Sequence, residues 1–229
     1  MDLPVWQALY TELADTNFVP ITVALDTRGP EAARPWIEAA NPTYPCLIDQ
    51  WHVVADLYGM VNVPIGVWIN EDGVIVRPPE TAGSVDAFRR MDRTSFSVPA
   101  DALAELQGAR RGYQNALRDW ARNGEKSPYA LSADEVRRRL TPVTDDVARA
   151  ATHFRLGEHL HASGHPQSAQ AEFAEAKRLQ PESWAYKRQA WNLEDPLKSG
   201  GPEFWAAVDA LGDDYYYKPT EGIPSARVS

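Results

Sequence analysis

The chain has 229 residues, of which 44% are hydrophobic and 24% charged, so its composition fits a soluble protein of one large or two small domains. Its net charge of −9 argues against a nucleic-acid surface, and the lack of an 18-residue apolar run argues against a membrane span. Because no basic, apolar leader follows Met1, we expect a cytoplasmic protein. Cys46 is the single cysteine, so we expect neither an internal disulfide nor a cysteine-based zinc cluster.

The first part of the chain alternates helical and strand patterns. Apolar residues at helical spacing predict the helices, β-branched runs predict the strands, and Asp72-Gly73 between two apolar runs predicts a hairpin turn. The predicted order is a helix at 2–14, a strand at 18–25, a helix at 30–40, a strand at 45–48, a helix at 51–58, and strands at 64–70 and 74–77. This order is typical of an α/β sheet with helices on its faces.

The second part reads as helix and loop. Pro78-Pro79 is expected to end the sheet pattern, and a short helix is expected near 84–92. Further helices are predicted at 99–123, 132–140, 144–163, 167–179, 183–193 and 203–211. The expected division is an α/β domain over residues 1–95 and an all-α region over residues 96–229.

Segment 2–77 resembles the TlpA/ResA branch of the thioredoxin-like proteins. The stretch DLPVWQALYTEL is similar to the family helix that follows its C-x-x-C motif, and ITVALD is similar to the next strand. YPCLID, an apolar helix ending in LYG, and NVPIGVWINEDGVIV resemble the second half of the fold. The resemblance implies a thioredoxin fold in which Val63 and Pro64 occupy the cis-proline position that lines the substrate groove.

The chain departs from this family at the redox motif. By the family's spacing, the first strand and the C-x-x-C would fall just before Met1, so the chain carries a thioredoxin-like domain truncated at its first strand and no catalytic residue can be assigned. Two interpretations stay open: a start assigned downstream of a cysteine or selenocysteine motif, or a natural scaffold without redox activity. Cys46 stands where the family has an apolar residue, and we interpret it as a small buried hydrophobe.

Residues 150–183 resemble a tetratricopeptide repeat. The residues at matching offsets are Leu156, Gly157, Leu160, Ala169, Phe173, Ala176 and Pro181. One such hairpin cannot bury its own apolar face, so it must pack on another part of the chain or on a second copy. It can serve as a peptide-binding groove or as a structural cap, and the sequence leaves both alternatives open.

Other sites of chemistry have little support in the sequence. The five histidines, at positions 52, 153, 159, 161 and 165, form no H-E-x-x-H motif, and we interpret them as surface residues. The chain has no G-x-S-x-G, Walker or G-x-G-x-x-G motif. We therefore expect no metal site and no cofactor.

Two functions follow from these observations. The resemblance implies a thiol- or selenol-disulfide oxidoreductase family protein whose redox motif is absent from this chain. The alternative is a non-catalytic scaffold that binds a protein or peptide in the same groove. The incomplete sheet further predicts that two copies associate through an unpaired strand edge or that another segment of the chain fills the gap.

Overall fold

The structure, a computed structural model, describes residues 3–227. It is mixed α/β, and about 52% of it is helical. The helices are α1 (Leu3–Glu12), α2 (Pro30–Ala40), α3 (Val53–Tyr58), α4 (Ala100–Asn123), α5 (Ala133–Arg139), α6 (Asp145–Ala162), α7 (Pro166–Leu179), α8 (Trp184–Glu194) and α9 (Pro202–Asp209). The strands are β1 (Thr22–Leu25), β2 (Cys46–Asp49), β3 (Ile65–Ile69) and β4 (Ile75–Thr81). A short 3₁₀ helix at Asp86–Arg90 stands where the short helix was expected.

The described residues divide into two compact units, each drawn from separate stretches of the chain. The first unit combines residues 3–14, Phe18–Val63 and Thr141–Ala207. The second combines Asp15–Asn17, Pro64–Leu140 and residues 208–227. This division differs from the boundary near residue 95 expected from the sequence, because each unit joins strand-forming and helical segments that are distant along the chain.

A parallel pair of strands forms the sheet of the first unit. β1 pairs with β2 in the register Thr22↔Cys46 to Leu25↔Asp49, and α2 makes the crossover that a parallel pair requires. Pro30 opens α2 at a position where its missing N–H costs nothing, and Asn41 in the left-handed region ends it.

Asp49, the last residue of β2, anchors the start of α3. Its carboxylate accepts hydrogen bonds from the backbone N–H groups of Val53 at 2.8 Å, Val54 at 2.7 Å and Ala55 at 3.2 Å. These groups have no acceptor within the first turn of a helix. Asp49 therefore fixes α3 against the end of the strand pair, and Gly59 ends the helix with φ 63°.

The hairpin of α6 and α7 has an aromatic and alanine core, completed by α8. The buried cluster consists of Ala150, Phe154, Ala169, Phe173, Ala176, Leu179, Tyr186 and Ala190. Gly157 lets the helices approach closely, because a Cβ at this position would lie 2.6 Å from the Phe173 ring. Phe154 stacks on Tyr186 of α8 with ring centroids 4.1 Å apart, so the third helix covers the apolar face that the pair leaves open.

Two residues of the tetratricopeptide pattern lie outside this core. Leu156 is 43% exposed and Pro181 is exposed, whereas Gly157, Ala169, Phe173 and Ala176 are buried and Leu160 packs against the cluster. Leu156 directly precedes Gly157 on the helix, and a step of 100° turns its side chain away from the face that Gly157 presents.

An antiparallel hairpin, β3 and β4, forms the sheet of the second unit. The pairs Ile65↔Thr81 and Ile69↔Ile75 frame it, and Gly73 supplies the positive φ of its turn. Contrary to expectation, β4 continues through Pro78 and Pro79. The register shifts between Gly66 and Trp68, so Pro78 and Pro79 both stand opposite the single residue between Gly66 and Trp68. Such a bulge tolerates prolines, which have no backbone N–H to donate to the neighbouring strand.

Candidate functional site

The two residues predicted to form a groove, Val63 and Pro64, fall in different units. Val63 ends a stretch of the first unit, is 39% exposed, and lines a cavity there. Pro64 begins the second unit, where its carbonyl accepts a hydrogen bond from the N–H of Ala82 at 3.1 Å. All the residues that line the cavity beside Val63 belong to the first unit.

The cavity beside Val63 has a volume of about 180 Å³. One wall is the carboxyl end of β1, with Leu25 and Asp26, and the opposite wall is a face of α8. The loop that carries Val63 is joined to α8, since the N–H of Ala185 donates to the carbonyl of Val61 at 3.0 Å. The carboxyl ends of parallel strands are a common place for ligands in α/β proteins.

Gln189 of α8 is an unsatisfied polar residue in the wall of this cavity. Its side chain is 6% exposed, and its Nε2 has no hydrogen-bond partner among the residues described. A buried amide donor left unpaired costs about 1–3 kcal/mol. A ligand with an acceptor group within hydrogen-bond distance of this Nε2 would recover the cost.

Arg188 and Asn192 extend the same polar face of α8. The Nε of Arg188 donates to the carbonyl of Ser199 at 3.3 Å, and its guanidinium lies 5.4 Å from the centroid of the Phe204 ring. Within residues 3–227, Arg188 forms no ion pair. The α8 wall therefore offers a half-buried positive charge and amide groups.

Asp26 is the one carboxylate in the cavity lining, and Arg28 already binds it. The guanidinium of Arg28 contacts both carboxylate oxygens, at 3.0 Å from Nε and 2.7 Å from Nη2. This hydrogen bond to Asp26 raises the pKa of Arg28 against the opposing effect of burial. Asp26 therefore adds little uncompensated negative charge to the cavity.

A buried polar network supports the floor of the site. Glu158 of α6 accepts hydrogen bonds from the Thr27 hydroxyl at 2.6 Å and bonds to Nδ1 of His52 at 2.8 Å. His52 itself lines the cavity and adopts φ 53°, an uncommon conformation for a residue with a side chain. Such backbone strain persists where surrounding contacts impose it, and it clusters at functional sites. The second oxygen of Glu158 has no partner among the described residues.

A second polar link joins α3 to the helical segments of the same unit. Asp56 accepts a hydrogen bond from the Tyr186 hydroxyl at 2.6 Å and pairs with Arg155 at 3.2 Å. Burial, and then the hydrogen bond to Asp56, raises the pKa of Tyr186 above its ordinary value. Together with Glu158, this link holds α6 and α8 against the strand pair and so fixes the walls of the cavity.

The single cysteine lies away from this site. Cys46 is half-buried at the start of β2, and its sulfur accepts a hydrogen bond from the Thr22 hydroxyl at 3.1 Å. A larger cavity of about 260 Å³ runs along β1 and α2, and its lining includes the exposed Trp36. Because this larger cavity has no unsatisfied buried polar group among the described residues, the smaller one is the better site candidate.

The buried polar residues at this site were not predicted from the sequence. His52 was interpreted as a surface residue, which is wrong: it is 1% exposed. The signal for Glu158 was its position four residues after Phe154, which places a carboxylate on the apolar face of α6. Gln189 occupies the buried face of α8 in the same way, next to Ala190.

Across the described part of the chain, no three His, Cys, Asp or Glu side chains gather as metal ligands would. In residues 3–227, no helix combines the length and the apolar character needed to cross a bilayer. Comparison of the chain with protein-family models, curated proteins and solved structures finds no significant match.

Proposed function

We propose that this chain is a thioredoxin-like protein of the TlpA/ResA type, joined to a tetratricopeptide-like hairpin, which binds an extended protein segment without thiol chemistry of its own. The observation that carries the proposal is the cavity beside Val63, where strand β1 and helix α8 of one unit enclose an unsatisfied buried amide. We also propose a cytoplasmic location, where an unpaired thiol such as Cys46 stays reduced.

The strand pairings support the thioredoxin-like part of the proposal. A parallel pair joined by α2 precedes an antiparallel hairpin, in the order that the resemblance implies. In the family, the strand that leads into the redox motif lies between two such pairs. The described strands form two such pairs, as two separate two-stranded sheets.

Binding is favoured over thiol chemistry by the position of the one sulfur nucleophile. Dithiol exchange needs a thiolate and a resolving cysteine within reach. Cys46 is the single cysteine of the sequence, and it sits in a strand with its sulfur hydrogen-bonded to Thr22. Cys46 is not among the residues that line the cavity beside Val63. The polar and apolar residues that do line it suit recognition through hydrogen bonds and apolar contacts.

The second candidate is a thiol- or selenol-disulfide oxidoreductase of the same family, whose motif this sequence does not contain. The strand order favours it as much as it favours the scaffold. The two candidates differ in what this chain does by itself. A scaffold binds a peptide at this cavity without turnover, whereas an oxidoreductase that lacks its motif neither binds a peptide there nor turns one over.

Peptide selection tests the proposed binding function. Peptides selected against the immobilised chain from a random display library would be measured by fluorescence anisotropy with the chain and with Val63→Asp. We expect Val63→Asp to weaken binding roughly tenfold or more, because a charge would stand in an apolar part of the lining. The matched control is Val143→Asp, since Val143 is 73% exposed and outside the cavity. Equal binding by both variants would contradict the assignment of the site.

A further inference from the structure

The α8 wall of the cavity presents an excess of hydrogen-bond donors. Arg188, Gln189 and Asn192 line it. Asn192 lies four positions after Arg188 and three after Gln189, and side chains at these spacings are neighbours on a helix. Gln189 has an unpartnered buried Nε2, and Arg188 forms no ion pair within the described chain. The wall therefore carries one uncompensated positive charge beside amide donors.

The one carboxylate of the cavity lining already has a cationic partner. Asp26 is held by both guanidinium nitrogens of Arg28. The Ser199 hydroxyl donates to the carbonyl of Pro196 at 3.1 Å, and His52 bonds to Glu158 through Nδ1. Arg188 therefore has no carboxylate partner in the cavity, and an anionic ligand would supply one.

We infer that this cavity binds the carboxylate of a small, partly apolar ligand. A guanidinium matches a planar carboxylate geometrically, and a charge-assisted hydrogen bond is roughly twice as strong as a neutral one. Leu25, Val63 and Trp184 supply the apolar part of the lining. The cavity volume is about 180 Å³, so the ligand or ligand end is small.

This inference rests on the binding function proposed above and names its ligand class. The carboxylate can belong to a free organic acid or to the last residue of a peptide. Both sources present the same group to Arg188 and Gln189, so they are separated by experiment.

Benzoate and benzamide are matched probes for the test. They share size and shape, and they differ in the charge of the group that would face Arg188. The full-length chain, labelled with ¹⁵N, would be titrated with each probe while the indole N–H signal of Trp184 is followed. We expect benzoate to shift this signal saturably, with a Kd roughly tenfold below that of benzamide, since tenfold corresponds to ~1.4 kcal/mol.

Variants of the α8 wall separate charge from packing. Arg188→Gln should weaken benzoate roughly tenfold and leave benzamide unchanged, whereas Arg188→Lys should keep part of the preference. Asn192→Asp should also weaken benzoate alone, because its carboxylate would pair with Arg188. Arg34→Gln, on an exposed part of α2 in the same unit, is the control and should change nothing.

The outcomes distinguish this inference from the function on which it rests. Equal affinity for benzoate and benzamide, or no shift of Trp184 with either, overturns the carboxylate assignment. Loss of selected-peptide binding in Val63→Asp would still support the proposed function in that case. Acetyl-Ala-Val with a free carboxyl terminus and with an amidated one identifies the source of the carboxylate. Tighter binding of the peptide with the free carboxyl terminus indicates a peptide terminus. Benzoate binding without such a preference between the two peptides indicates a free acid.

Discussion

Glu158 and His52 bond to each other at 2.8 Å, with both side chains almost completely removed from solvent. They come from α6 and from the residue before α3, so the contact joins segments 106 positions apart. Glu158 also holds the hydroxyl of Thr27. One carboxylate therefore organises three segments around the cavity.

Removal of Glu158 should destabilise the protein strongly. Glu158→Ala leaves His52 and Thr27 without their buried partner, and each buried polar group left unpaired costs about 1–3 kcal/mol. Glu158→Gln should cost less, because the amide oxygen can still accept. Urea unfolding measures both, and Glu175→Ala, which removes the surface ion-pair partner of Arg178, is the control and should change the free energy of unfolding little. Equal costs for Glu158→Ala and the control would contradict a structural role of the network.

Gly157→Ala should destabilise the helical hairpin. The added Cβ would lie 2.6 Å from the Phe173 ring, so the helices must separate, and overpacking of this kind costs about 1–3 kcal/mol. Gly200→Ala is the control, because a Cβ there meets nothing within 4 Å. Thermal unfolding of the two variants should give a lower midpoint for Gly157→Ala alone.

Stability should fall at alkaline pH in part through Tyr186. Its folded-state pKa is raised, mainly by burial, so the folded protein retains this proton at a pH where the unfolded chain releases it. The resulting stability is complete below the ordinary tyrosine pKa of about 10 and is lost as pH rises above it. Urea unfolding across this range should show a smaller decline for Tyr186→Phe than for the unaltered chain. An identical decline would rule out this contribution.

The chain should not reduce disulfides catalytically. With Cys46 as the single cysteine, a mixed disulfide has no internal thiol to resolve it. Insulin reduction with dithiothreitol should proceed at the rate of the buffer blank, and Cys46→Ala should behave identically. Turnover that disappears in Cys46→Ala would instead place the chemistry in β2.

Association through β1 remains a prediction. Among the described residues, β1 pairs with β2 alone, so its other edge has unpaired backbone groups. Ile21, just before this strand, is 60% exposed. Sedimentation velocity should detect a dimer that Ile21→Lys dissociates, because a charged edge residue opposes strand pairing. Leu57→Lys, at an exposed position of α3, is the control, and a monomer at all concentrations would refute the prediction.

Local chemistry explains which features could be anticipated. Asp72-Gly73 predicted the hairpin because its turn needs a positive φ, and Gly73 has φ 76°. The apolar spacing in residues 144–179 predicted α6 and α7. The path of β4 through Pro78 could not be predicted, because the bulge depends on the residue opposite it in β3. The hydrogen-bond network of Glu158 could not be predicted either, because its partners are distant in sequence.

The 131 positions between Thr27 and Glu158 also constrain how the chain folds during synthesis. Ribosomes add about 5–20 residues per second, so on the order of ten seconds pass between the synthesis of Thr27 and that of Glu158. Over that interval β1 and β2 lack the helices that complete their unit. Until α8 emerges, the nascent chain exposes apolar surface, and we expect chaperones to bind it. For the same reason, a chain that stops before residue 184 should be degraded rather than accumulate.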